Sequence, residues 1–117
     1  MEAYPFIDVT FDGADEIDKK NNLIKGGGGC HLGEKLVASC SKRLVIVADW
    51  GKSSNILGMK WRKGVPVEVI PMGLTFVLSQ LENMNGLCSI REGSGKSGPV
   101  VTDNGNFIVI NYSFFCY

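Results

Sequence analysis

Apolar and polar residues alternate from residue 6 to residue 11, with Phe6, Asp8 and Thr10 on one side and Ile7, Val9 and Phe11 on the other. A period of two with β-branched residues predicts a strand, closed by the turn signal Asp12-Gly13. Residues 18–22 are polar and predict a loop, with Leu23-Ile24 as a short apolar step beyond it. Over 31–42, Leu32, Leu36, Val37 and Cys40 fall on one helical face. The apolar run over 43–48 predicts a strand buried on both faces of a parallel sheet. It ends at Asp49, where the carboxyl edge of such a strand carries ligand-facing groups. Strand, loop, helix and strand in that order make a βαβ unit.

The second half is patterned differently. Residues 66–70 read as a strand closed by Pro71, and Leu74, Val77, Leu78, Leu81 and Met84 mark an amphipathic helix that Asn85-Gly86 stops. A strand is expected over 87–91 and a flexible turn over 93–98. Residues 99–102 and 107–112 are expected to form a hairpin through Asp103-Asn104-Gly105-Asn106. The fold class is therefore α/β: part of a Rossmann-like parallel-sheet domain over 1–64, followed by part of a small α+β domain over 65–117. The closing segment over 111–117 is aromatic and is expected to meet a partner surface. Both ends are abrupt and the sheet edges poorly covered, as in an excerpt from a longer protein.

Composition narrows the function classes. The chain has 117 residues, 44% hydrophobic and 21% charged, ordinary values for a globular domain. Twelve basic residues balance twelve acidic ones, which gives no support for broad binding to nucleic acid or to a membrane surface. Cys30, Cys40, Cys88 and Cys116 form no CxxC pair and His31 is the single histidine, so no zinc site of the usual kind is expected. No signal peptide and no spanning apolar run is visible, and a cytoplasmic protein with reduced thiols is expected. The cysteines and His31 read as structural.

The candidate chemistry lies in the first half. Asp12, Asp15, Glu16 and Asp18 suit either an acidic turn or carboxylates that accept hydrogen bonds from substrate hydroxyls. Gly26, Gly27, Gly28 and Gly29 suit either a flexible loop or a backbone cradle for oxyanions, and they match neither a Walker loop nor a dinucleotide fingerprint. Lys25, pinned before the glycines, is either solvated or aimed at whatever the loop surrounds, where it can stabilise an oxyanion. Glu34, early in the helix, either complements the helix dipole or serves as a general base. Lys52 is either a loop lysine or a second cation for the ligand.

Together these segments resemble ribose-5-phosphate isomerase of the A type. The resemblance is carried by Asp12-Gly13-Ala14-Asp15-Glu16, Asn22-Leu23-Ile24-Lys25-Gly26-Gly27-Gly28-Gly29, Glu34-Lys35-Leu36-Val37-Ala38, Val47-Ala48-Asp49 with Lys52, Pro66-Val67-Glu68-Val69-Ile70-Pro71 and Val101-Thr102-Asp103-Asn104-Gly105-Asn106. It implies interconversion of D-ribose 5-phosphate and D-ribulose 5-phosphate in the non-oxidative pentose phosphate pathway, with no metal or organic cofactor. Glu34 would move a proton between two carbons of an enediolate. Asp12, Gly13, Ala14 and Asp15 would hold the sugar, Lys25 with Gly26, Gly27 and Gly28 would stabilise the enediolate, and Lys52 would add a substrate contact. The implied partner is a small sugar phosphate, and a homo-oligomer is compatible with the family. The family's early phosphate-gripping loop and its C-terminal part are expected to be missing from these residues. Gly33 stands where the family carries a long polar residue. A second reading follows from the missing loop: a truncated, non-catalytic remnant that binds at most a small anion or a full-length partner.

Overall fold

The computed structural model describes residues 6–112, so the aromatic close over 113–117 lies outside the described residues. Strand β1 (Ile7–Asp12) pairs in parallel with β4 (Ser41–Ile46), with Val9 opposite Arg43 and Asp12 opposite Ile46. A parallel pair needs a crossover connection. Helix α1 (His31–Ser39) supplies it and packs on both strands, so the βαβ unit forms as expected. The helix ends before the expected residue 42. The Ser39 and Ser41 hydroxyls fold back on the last turns, donating to the Lys35 and Val37 carbonyls at 2.7 Å each.

The expectation that residues 43–48 are buried on both faces is not met. Lys42, Arg43, Leu44 and Val47 are exposed. Among the described residues β4 has β1 as its only sheet neighbour, so the apolar run is covered incompletely. The polar stretch over 18–22 is the turn of a hairpin too short to leave a sequence pattern, β2 (Glu16–Ile17) with β3 (Leu23–Ile24). Asp18 organises it by accepting the backbone N–H groups of Lys20 and Asn22 at 2.8 Å, while Asn21 takes the left-handed conformation that asparagine tolerates.

The best-buried core lies in an antiparallel sheet ordered β5 (Val65–Val69), β7 (Phe107–Asn111), β6 (Cys88–Ile90). Ile108 and Val109 are wholly buried, and Val69 and Ile110 nearly so. Helix α2 (Leu74–Asn83) packs on β6 and β7. It is closed by a Gly86 N–H bond to the Leu81 carbonyl with Asn85 at positive φ.

Residues 99–102 are not a strand, contrary to the expected hairpin. Both edges of β7 are already taken by β5 and β6, which leaves no ladder for a further arm. The turn over 103–106 is instead tied to β5 through Glu68, which accepts from Thr102, Asn104 and Asn106 at 2.8, 3.1 and 3.0 Å. Among the described residues no helix is long and apolar enough to cross a membrane.

Candidate active site

The site is built where β1, the β2–β3 hairpin and the start of α1 converge. Asp12 is the last residue of β1. Its carbonyl accepts the Val47 N–H at 2.8 Å, and its Oδ1 accepts the N–H of Gly13 at 2.7 Å. Pairing of Glu16 with Ile24, and the Asp15 N–H bond to the Ile24 carbonyl at 2.8 Å, set Lys25 beside the acidic turn. Under this turn Glu16 is wholly buried, accepting the backbone N–H groups of Gly58 at 2.6 Å and Lys60 at 2.9 Å. Burial works against its charge, but these hydrogen bonds outweigh burial and hold its pKa below the ordinary glutamate value.

Lys25 Nζ lies 2.7 Å from Asp12 Oδ2 and 3.0 Å from Glu34 Oε2, and it donates to the Gly13 carbonyl at 2.6 Å. An ammonium has three donors, and here three acceptors occupy them. Partial burial disfavours the charge on Lys25. The hydrogen bonds and charges of Asp12 and Glu34 outweigh that, and its pKa stands above the ordinary lysine value.

The glycine run closes the far side. Gly26 has φ +99°, and a Cβ there would meet Pro66 and His31 at 2.6 and 2.8 Å. A Cβ on Gly27 would lie 2.6 Å from both Asp15 Oδ1 and Trp61. Bare backbone is thus a packing requirement at both positions. The Gly27 N–H donates to Asp15 Oδ2 at 2.7 Å. Arg91, from the antiparallel sheet, donates through Nη1 to the carbonyls of Gly26 and Gly27 at 3.2 Å each.

The result is a cleft of about 190 Å³ lined by Asp12, Gly13, Ala14, Asp15, Lys25, Gly26, Gly27, Gly28 and Glu34. It gathers two sugar-binding carboxylate candidates, a general-base candidate, a cation and exposed backbone around one small volume. Lys52 does not line it. That lysine ends a single 3-10 turn, Trp50–Lys52, capped by Asp49 through the Gly51 N–H at 2.7 Å. Asp18 serves the β2–β3 turn instead of the cleft. His31 opens α1 beside Gly26. Both of its ring nitrogens are buried without a hydrogen-bond partner, and burial pushes its pKa down. Cys30, Cys40 and Cys88 are free thiols. Among the described residues no group of three or more His, Cys, Asp or Glu side chains is arranged to hold a metal ion.

Arg91 and Glu68 escape a reading of the sequence pattern. The only signal they leave is a charged residue ending or interrupting a short apolar strand, and their partners are far away in the chain.

The pattern of the ribose 5-phosphate isomerase A (phosphoriboisomerase A) family matches residues 1–114. Ribose-5-phosphate isomerase of Dictyostelium discoideum is 56% identical over 111 residues, covering 93% of this chain and 48% of that protein. The Schizosaccharomyces pombe ribose-5-phosphate isomerase is 54% identical over 110 residues, covering 92% and 40%. Ribose 5-phosphate isomerase A from Methanocaldococcus jannaschii superposes with a TM-score of 0.87 at 42% identity, over 100% of this chain and 51% of that one. A D-ribose-5-phosphate isomerase in complex with phospho-erythronic acid superposes with a TM-score of 0.84 at 38% identity, over 96% and 48%. The chain thus spans about half the length of the relatives it matches. Fold, motif order and sequence agree, and the chain belongs to the ribose 5-phosphate isomerase A family.

Proposed function

We propose that the chain carries the proton-transfer centre of an aldose–ketose isomerase interconverting D-ribose 5-phosphate and D-ribulose 5-phosphate. The observation that carries this reading is Lys25 held between Asp12 and Glu34 against the glycine loop. Glu34 takes the proton from the carbon next to the carbonyl and returns it to the neighbouring carbon. As Glu34 becomes neutral, its hold on Lys25 weakens. The enediolate oxygen gains charge in the same step and takes the ammonium over. Asp12 and Asp15 hold the sugar hydroxyls and assist proton exchange between its oxygens. The relative bound to phospho-erythronic acid supports this substrate class, since a phosphorylated aldonic acid carries a planar carboxylate like the two oxygens of an enediolate.

Lys52 is assigned a substrate contact outside the cleft lining. Residues 1–64 are read as the catalytic unit and 65–117 as a second α+β unit, in keeping with the division between parallel and antiparallel sheets. The setting is taken to be cytoplasmic, in keeping with the free thiols.

The test is conversion of ribose 5-phosphate by the purified chain. Glu34→Gln, which keeps the shape and removes the base, is expected to lower turnover by about 10²–10⁴-fold. A folded wild type with no turnover, or a Glu34→Gln variant as fast as wild type, overturns the proposal.

A further inference from the structure

The glycine loop is gripped from outside the catalytic half. Gly26–Gly27 is held at both ends of its peptide unit: the Gly26 carbonyl accepts from Arg91, and the Gly27 N–H donates to Asp15. The next unit, Gly27–Gly28, is held at one end only. Its carbonyl accepts from the same Nη1 of Arg91 at 3.2 Å, and the Gly28 N–H has no acceptor among the described residues. No described peptide is cis. In a trans peptide C=O and N–H point in opposite directions, so the Gly28 N–H points away from Arg91, and Gly28 lines the cleft.

Arg91 is itself rigidly seated. Its N–H donates to the carbonyl of Ile108, a wholly buried residue, and its carbonyl accepts the Val100 N–H, both at 2.8 Å. One nitrogen with two hydrogens serving two successive carbonyls fixes the rotation of both peptides at once, which a lysine on a flexible stem does less well.

We propose that Arg91 is a positioning residue that turns the Gly28 N–H into the cleft as an oxyanion-binding donor. Its benefit to turnover rests on the isomerase reading above. Its benefit to anion binding does not. Preorganised donors aimed at developing charge stabilise transition states because they need not reorient during the reaction.

The test compares wild type, Arg91→Ala and Arg91→Lys with phospho-erythronic acid as the probe, following backbone amides by NMR. In wild type the Gly28 amide signal is expected to shift on addition of the probe. In Arg91→Ala the Gly27 and Gly28 signals should move in the free protein and the response of Gly28 to the probe should be lost. In turnover, Arg91→Ala is expected to lower kcat by about 10–100-fold, less than the roughly 10²–10³-fold for deleting an oxyanion donor outright, with KM changed by less than about 3-fold. Arg91→Lys and added guanidinium ion should each restore part of kcat. Should Arg91→Ala lose the dispersed spectrum of the folded chain, Arg91→Lys carries the same comparison.

A Gly28 amide indifferent to the probe in wild type overturns the proposal, as does a folded Arg91→Ala with unchanged kcat. So does a loss confined to KM. A wild type without turnover whose Gly28 amide still responds through Arg91 sinks the isomerase reading alone.

Discussion

The parallel pair β1–β4 and the antiparallel sheet β5–β7–β6 bury their residues very differently. In the antiparallel sheet Ile108 and Val109 are 0% exposed, and β7 has a hydrogen-bonded neighbour on each edge. In the parallel pair Leu44 is 44% and Phe11 70% exposed, and α1 buries no residue fully. The candidate cleft lies on the second, looser region. Catalytic groups must reach solvent and substrate, so they gather at strand ends and on loops. The well-packed sheet then stabilises them at a distance, through Arg91 on the glycine loop and through Pro66, which packs against Gly26.

This contrast makes a quantitative statement about stability. Ile108→Ala should cost about 2–5 kcal/mol, the range for truncating a buried aliphatic side chain. Leu44→Ala, at a half-exposed position, should cost less than about 1 kcal/mol. Urea unfolding midpoints at constant m-value measure both. Equal losses would mean that the two sheets share one core and would remove the distinction. In activity the order reverses. Lys25→Met removes the proposed oxyanion partner and should lower kcat by about 10²–10³-fold, or roughly 2.7–4 kcal/mol, whereas Leu44→Ala should leave kcat within a few-fold. The ribose 5-phosphate assay decides between them.

The same contrast explains what can be read in the sequence. The βαβ unit is legible because period two and period 3.6 each persist for at least five residues around β1 and α1. The cleft is legible because its lining is local: Asp12, Lys25 and Glu34 lie on one short stretch, and each is a residue type suited to the chemistry. Burial of β4 is misjudged, because an apolar run reports what a strand could pack against and not what covers it. The hairpin over 99–112 is misjudged for another reason. The Asp103-Asn104-Gly105-Asn106 turn chemistry is real, but Glu68 captures the turn and β5 takes the ladder. Arg91 and Glu16 act on partners more than 40 residues away, and no local pattern encodes such pairs.

Glu16 sharpens the comparison because it is a wholly buried charge in the looser region. Glu16→Gln replaces a carboxylate that accepts two backbone N–H groups with an amide that faces one of them with its own N–H. The expected cost is about 1–3 kcal/mol. The pH dependence has a definite sign. A folded-state pKa held below the unfolded value contributes stability above the unfolded value, near 4.3 for glutamate, and loses it as pH falls through the folded value. The gap between wild type and Glu16→Gln should therefore be full at pH 6–7 and shrink in acid below about 4. A gap that stays constant in acid would assign the effect to packing instead of charge, and one that widens would mean that burial outweighs the hydrogen bonds.

The smallest effect tests whether α1 is held by packing or by its own propensity. Gly33 sits inside the helix, one residue before Glu34, and a Cβ there would meet nothing within 4 Å. Gly33→Ala therefore adds no clash and removes the entropic cost of glycine in a helix, about 0.5–1 kcal/mol. With no residue of α1 fully buried, little packing stands against that gain. The expected outcome is a higher urea midpoint and slower amide exchange over residues 34–37. An unchanged midpoint with slower exchange would mean that α1 opens locally, apart from global unfolding. No change in either would mean that contacts with β1 and β4, exposed as those strands are, already hold the helix that carries Glu34.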